Sequence, residues 1–307
     1  MSSFLYFILP ALGGYTLTSI YLLKNPHILH RRKRTAFYST RISHRGGCGE
    51  RIESTMEAFT NAVEQGTQML EFDCHLTRDG HVVISHDENL LRQTGHDVNI
   101  SSLNLQDLPL YKQRLEVTFC AGCYSSGADR KFALLEDVFR KFPEMPVSIE
   151  VKENNLQLIE KISELVQQFN REEITVWASV NSTIMDTCRR TNGSMPYSFT
   201  MNRGLMLLLL FYTGLLPFVP LGESLLQFYL LHIFNRWDCC SKLYFCYFCR
   251  VMLRKSLFEH LAARGIQVHL FVCNKEDDIK AALDLGATGV MSDYPSLLFN
   301  YFYRHDD

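Results

Sequence analysis

Strand-forming runs alternate with helical patterns along nearly the whole chain, and that alternation limits the fold more than any single motif. Strand-like runs lie at 41–44, 69–76, 82–86 and 147–152, then at 174–180, 197–200, 267–272 and 289–292. Between several of them, residues 56–64, 134–141, 156–169 and 277–285 carry apolar side chains at helical spacing. Eight strands interleaved with helices predict an α/β chain closed into a (β/α)₈ barrel of the TIM type. No short-period repeat competes with that reading. The Asp79-Gly80 connection is too short for a crossover helix, so the barrel is expected to be irregular between its second and third runs. The direction of the third run is left open.

The same runs carry the chemistry. Glu71 and Asp73 are two apart, so a strand puts both carboxylates on one face. Asp79-Gly80 between apolar runs signals a two-residue hairpin turn. With that turn Arg78 faces His81, and counting back along the ladder sets Asp73 opposite His86. Two carboxylates and an imidazole on one patch make a divalent-metal or acid/base site. His44-Arg45-Gly46 ends the first run, with Glu53-Ser54-Thr55 soon after it. Ser148-Ile149-Glu150-Val151-Lys152 puts Glu150 and Lys152 on a shared strand face, and Phe271-Val272-Cys273-Asn274 and Ser292-Asp293-Tyr294-Pro295 come near the C-terminus. Most of these motifs fall late in their strands, the end at which such barrels build their active sites.

Taken in order, the motifs resemble the glycerophosphodiester phosphodiesterase family, whose pattern runs H-R-G, E-N-T, E-x-D, x-H-D, E-x-K and T-D-x-P. The resemblance covers about residues 41–295. Ser54 stands where the family has Asn, Phe271 where Trp is common, and Ser292 where Thr is usual; no carboxylate or histidine is lost. Within the family the chain is most similar to small membrane-anchored members that act as lysophospholipases D. That similarity implies a lysophospholipid substrate, membrane lipid as a partner, and a membrane location, with the endoplasmic reticulum or perinuclear membrane expected.

Glu71, Asp73 and Glu150 offer only oxygen ligands, which suits Mg²⁺ or Ca²⁺. Arg45 and Lys152 would offset charge developing on phosphorus. His44 and His86 would serve as base and acid, with ligation of the metal a second role open to His86. Glu53 would orient His44, Arg45 or the metal's water. Two rivals stay beside this expectation: the same chemistry on water-soluble diesters such as glycerophosphocholine, and a membrane scaffold whose barrel only binds a lipid headgroup.

Composition sets outer bounds. A net charge of −2 gives the chain no bulk attraction to nucleic acid. Ten cysteines in a chain this long, many within apolar runs, do not suggest a secreted disulfide scaffold. Cys120-x-x-Cys123 and Cys246-x-x-Cys249 have zinc-like spacing but dissimilar contexts, so a zinc site is not expected; Cys239, Cys240, Cys246 and Cys249 are open to palmitoylation, with reduced structural thiols the default. Residues 1–40 divide from the barrel of 41–307 as an anchor and basic juxtamembrane segment. Residues 4–23 are uncharged and one bilayer crossing long, and Lys24 and Arg31-Arg32-Lys33-Arg34 follow. The positive-inside rule places the barrel on the cytosolic side, and the basic cluster suits anionic headgroups. A second apolar run, 204–221, opens an insertion reaching to 250. A single crossing there would strand the last two barrel strands across the membrane. It is therefore expected as a re-entrant or interfacial hairpin, bent by Pro217 and Pro220, flapping over the catalytic face before a helix at 251–264.

Overall fold

The structure, a computed structural model, describes residues 2–230 and 251–305. Helix α1 (Ser2–Lys24) precedes the barrel. Strand β1 (Arg41–His44), helix α2 (Met56–Glu64) and strand β2 (Met69–Leu76) make the first βαβ unit. An excursion follows, with β3 (Val82–Ile84), the one-turn α3 (Leu91–Thr94) and the hairpin of β4 (Arg114–Glu116) and β5 (Tyr124–Ser126). The barrel resumes through α4 (Leu135–Lys141), β6 (Val147–Glu150), α5 (Leu156–Gln168), β7 (Thr175–Ala178) and α6 (Ser182–Thr191). Next come α7 (Met201–Tyr212), β8 (Leu225–Tyr229), α8 (Lys255–Ala263), β9 (Gln267–Phe271), α9 (Glu276–Asp284), β10 (Gly289–Ser292) and α10 (Pro295–His305). Local side chains set several boundaries. Thr55, Asn155, Asn181 and Thr200 each accept a hydrogen bond from a free backbone N–H in the first turn of the helix that follows.

Seven strands pair in parallel in the order β7-β6-β2-β1-β10-β9-β8. Extended residues around 197–198 complete the ring, bridging Tyr197 to Trp177 on β7 and Ser198 to Leu225 on β8. The expected run at 197–200 is thus the fifth barrel position, held by bridges rather than by a full ladder. The run at 82–86 is not a barrel strand: β3 lies antiparallel against β2, off the ring. The missing strand is β8, whose apolar residues run on from the preceding apolar stretch.

Alternation along the strands separates floor from site. Ile42, Met69, Val176, Leu225 and Met291 meet in one buried cluster with Phe37. Two residues further along stand His44 and Glu71 on β1 and β2, and Asp293 just past the end of β10. Outer faces bury Leu70, Phe72, Val147 and Ile149 among α2, α4, α5 and α6, and Val268, Leu270 and Val290 in a second cluster with residues of α7 to α10.

The excursion after β2 has its own small core, with Val83, Leu90, Ile100, Tyr111 and Phe132 buried together with Ile52. The apolar run at 204–221 forms most of α7 and a short 3-10 turn at Leu216–Phe218, not a hairpin loop. Leu207 and Leu210 are buried against the barrel, so α7 is the crossover helix that leads into β8. Its 12 residues rise about 18 Å, short of a bilayer's hydrocarbon thickness. The helix expected at 251–264 is regular from Lys255. Cys120 and Cys123 are joined as a disulfide rather than poised for zinc. The cysteines at 239, 240, 246 and 249 lie outside the described residues, as does the insertion's remainder at 231–250. Helix α1 is long and apolar enough to cross a membrane by length and composition.

Candidate active site

A cavity of about 490 Å³ opens at the C-terminal ends of the barrel strands, and His44, Arg45, Glu71, Asp73, His86, Glu150 and Lys152 all line it. Parallel register builds its centre. β1 pairs His44 with Glu71, and β6 pairs Glu150 with Asp73, which gathers one histidine and three carboxylates from three strands at one end of the barrel. Ligand oxygens of Glu71, Asp73 and Glu150 lie within 4.8 Å of one another. Burial and then the neighbouring Asp73 push Glu150 up to about 7. Burial raises Glu71 as well, against the pull of His44. Lys152 Nζ stands 2.7 Å from Asp73 Oδ1, but not in line for a hydrogen bond, so that buried oxygen has a charge partner and no donor. Three crowded oxygen ligands, one of them lacking a donor, fit a hard divalent cation.

The turn after β1 carries Arg45 and is built for it. Arg45, Gly46 and Gly47 take φ values of 50°, 75° and 88°. A Cβ at Gly46 would fall 2.5 Å from the Phe59 ring, and one at Gly47 2.5 Å from Pro295. In this tight turn Arg45 N–H donates to Glu71 Oε2 at 3.2 Å, and Nη1 donates to Thr118 Oγ1 at 3.0 Å. Burial opposes the Arg45 charge, yet Glu53 and the other carboxylates raise its pKa above the ordinary value.

Glu53 turns toward the cations. Arg92 donates to it through Nη2 at 2.5 Å and Nη1 at 3.2 Å, Gln93 Nε2 at 2.8 Å, and Arg45 Nη1 at 3.4 Å. Burial would raise this acid, but the two guanidiniums and the hydrogen bonds outweigh it and hold Glu53 down to about 2. Of the three targets expected for Glu53, the geometry selects Arg45. Ser54, at φ 59°, sits in the left-handed region that Asn adopts more readily, but the Glu53 clamp does not depend on its side chain.

The two histidines are held differently. Asp293 Oδ1 accepts from His44 Nδ1 at 2.6 Å, also takes Cys48 Sγ at 2.9 Å, and its Oδ2 accepts from Asn274 Nδ2 at 2.7 Å. The hydrogen-bond partners therefore assign the proton to Nδ1 and leave Nε2 directed to the carboxylates, 4.0 Å from Glu71 Oε2. The His44 ring packs beside Phe119 and Phe271. His86 Nδ1 lies 2.5 Å from Asp87 Oδ1. Burial lowers the His86 pKa despite that carboxylate.

The expected pairing of Asp73 with His86 is corrected by the register. Leu76 faces Val82 and Cys74 faces Ile84, so Asp73 is opposite Ser85, whose N–H donates to its carbonyl at 3.0 Å. The turn holds three residues, not two: Thr77 N–H donates to His81 O at 3.0 Å, with Gly80 at φ 84°. The extra residue is that of a type I turn closed by a left-handed glycine. His86 still lines the cavity from the loop beyond β3 and stands outside the three-carboxylate cluster.

Several functional neighbours had no sequence role. Asp293 and Asn274 lay in recognisable motifs without an assigned task. Arg92, Thr118 and Phe119 come from the excursion, where no periodicity marks them.

Clustered carboxylates flanked by cations and imidazoles at a barrel mouth are groups that suit hydrolysis of a phosphoric ester. The sequence pattern of the glycerophosphoryl diester phosphodiesterase family matches residues 44–297. The human protein lysophospholipase D GDPD3 is 46% identical over 99% of this chain and 98% of its own. The human lysophospholipase D GDPD1 is 47% identical over 97% of each. The crystal structure of the glycerophosphoryl diester phosphodiesterase domain of a Mycobacterium tuberculosis protein shares the fold, with a TM-score of 0.68, 15% identity, and coverage of 87% of this chain and 100% of that one. The chain belongs to the glycerophosphoryl diester phosphodiesterase family and is a phosphoric diester hydrolase.

Proposed function

We propose that this enzyme is a divalent-metal-dependent lysophospholipase D, releasing the headgroup alcohol of a lysoglycerophospholipid to leave lysophosphatidic acid. The observation that carries this reading is the wall of the cavity. From the carboxylates outward it is lined by Val180, Leu205, Leu208, Phe228, Met252 and Phe258, an apolar slot that suits an acyl or alkyl chain. The names of the two human relatives agree with it.

Glu71, Asp73 and Glu150 would hold Mg²⁺ or Ca²⁺, which supplies Lewis-acid stabilisation of phosphoryl charge when bound. Arg45 is buried, and its Nε has no partner among the described residues, a donor left for a phosphoryl oxygen. Lys152, paired with Asp73, adds a second positive charge at the same wall. In place of the expected order of His44 as base and His86 as acid, His86, which burial disfavours charging, accepts the proton of the substrate's free 2-hydroxyl as that oxygen attacks phosphorus. His44, entering the cycle as the imidazolium with Asp293 on Nδ1 and Glu71 near Nε2, gives its Nε2 proton to the departing alcohol oxygen and is left as the neutral Nδ1–H ring. The tethered hydroxyl can make this attack easier by ~7–11 kcal/mol relative to a free nucleophile. The cyclic phosphate then opens with water, the two histidines exchanging roles.

Purified protein in detergent, assayed on lysophosphatidylcholine, glycerophosphocholine and diacyl phosphatidylcholine with and without chelator, tests the reading. Choline release should be fastest from the lysolipid, negligible from the diacyl lipid, and lost on chelation. Equal or faster turnover of glycerophosphocholine would make the enzyme a diesterase of water-soluble substrates. Turnover of none would overturn the choline-lysolipid reading and place the hydrolase on a different diester.

A further inference from the structure

Helix α7 buries one apolar face against the barrel and exposes another, which borders the cavity at Met201 and Leu205 and runs on away from it. Met201, Leu205, Leu209 and Tyr212 recur at helical spacing on its surface, and Leu215 and Phe218 extend the strip beyond its end. These six side chains are 41–64% exposed. The one cation of the helix, Arg203, is tied back to Glu223, with Nε 2.6 Å from Oε1. A strip of this kind on a monomer's surface calls for an occupant.

Helix α1 names it. Tyr15 Oη donates to Thr213 O and Ser19 Oγ to Gly214 O, both at 2.6 Å, and the Tyr15 ring stacks on Phe218. The approach is close: a Cβ at Gly214 would fall 2.8 Å from Ser19 Oγ. Ser19 and Tyr15 lie roughly 8 and 14 Å before Lys24 along the helix axis, at 1.5 Å per residue. If α1 crosses a bilayer with Lys24 at its boundary, whatever is bonded to its middle lies below the headgroups too. The end of α7 is bonded there.

We propose that the barrel is seated in the bilayer on its α7 face, with Leu209, Tyr212, Leu215 and Phe218 in the hydrocarbon beside α1. Leu205 and Leu208 then separate lipid from the cavity, so a substrate tail passes from the bilayer past α7 to the carboxylates without crossing water. The exposed Arg31, Arg32 and Arg34, just beyond α1, fall at the headgroup level of the same surface. This inference rests on reading α1 as a membrane-crossing helix and deepens the lysophospholipase reading.

The test places tryptophan at three exposed positions of the full-length protein in phosphatidylcholine vesicles with brominated acyl chains. Leu12→Trp reports α1, Leu209→Trp the proposed face, and Glu64→Trp the helix between the first two strands, across the barrel. Signal from the two native tryptophans is subtracted using the unsubstituted protein. Bromine should remove fluorescence at Leu12→Trp and Leu209→Trp and spare Glu64→Trp. Loss at Leu12→Trp without loss at Leu209→Trp overturns the seating while leaving α1 as an anchor; a second protein copy covering α7 would give that result. No loss at Leu12→Trp overturns the membrane reading of α1 and the seating together. Choline release by the same three variants is read separately, so failure of the enzymatic reading is distinguishable from either.

Discussion

Replacing Glu53 by Gln tests whether the buried clamp is worth what its geometry says. Glu53 is 1% exposed and takes hydrogen bonds from Arg92, Gln93 and Arg45. Its folded pKa, lowered from 4.5 to about 2, lies well below that of the unfolded chain. A depression of that size contributes on the order of 3 kcal/mol, fully present above the unfolded pKa and lost as pH falls through the folded one. Gln keeps the shape, removes the charge, and leaves Arg45 buried with one fewer counterion, a substitution that is costly when one partner of a buried pair is lost. At pH 7 the variant should unfold roughly 5–10 °C below the parent for a chain of this size. At pH 3.5 about 1 kcal/mol of the parent's advantage has gone, because the unfolded carboxyl is mostly protonated there while the folded one is still charged. Thermal denaturation of both proteins at the two pH values gives the comparison. An unchanged midpoint at pH 7, or a penalty equally large at pH 3.5, refutes the reasoning.

Three further outcomes follow from the site. His44→Ala and His86→Ala should each lower kcat by about 10²–10⁴ if they move protons, and Asp293→Asn should lower kcat with little change in KM; effects confined to KM would show that these groups only hold substrate. Asp73→Asn or Glu71→Gln should abolish turnover and weaken divalent-cation binding measured by calorimetry, with the melting behaviour of the apo protein retained; normal activity in either variant would remove the carboxylate cluster from the mechanism. Leu208→Ser, at the cavity wall, should slow long-chain lysophospholipids relative to glycerophosphocholine, since roughly 0.8 kcal/mol per buried methylene is at stake; equal slowing of both substrates would place the tail elsewhere. Leu207 is the wrong probe, because it is 2% exposed and holds α7 to the barrel.

What the sequence determined is what local chemistry and periodicity encode. The limits of α2 follow from the Thr55 cap and the apolar spacing behind it, and the shared face of Glu71 and Asp73 follows from the two-residue period of any strand. Their late position in the strand placed them at the barrel mouth before any coordinates. Tertiary structure decided the rest. One left-handed glycine added a residue to the Asp79-Gly80 turn and moved His86 off the ladder, a slip that backbone dihedrals set and the dipeptide does not show. The run at 204–221 has no charge to mark a boundary, so its hydropathy did not distinguish a membrane hairpin from the crossover helix α7. Burial of Leu207 and Leu210 against the barrel makes it the crossover helix, with its other face still exposed. Arg92 reaches Glu53 across 39 residues, and Asp293 reaches His44 across 249. Neither contact has a local signature, because both exist only once the ring of strands closes and brings the ends of distant segments to one cavity.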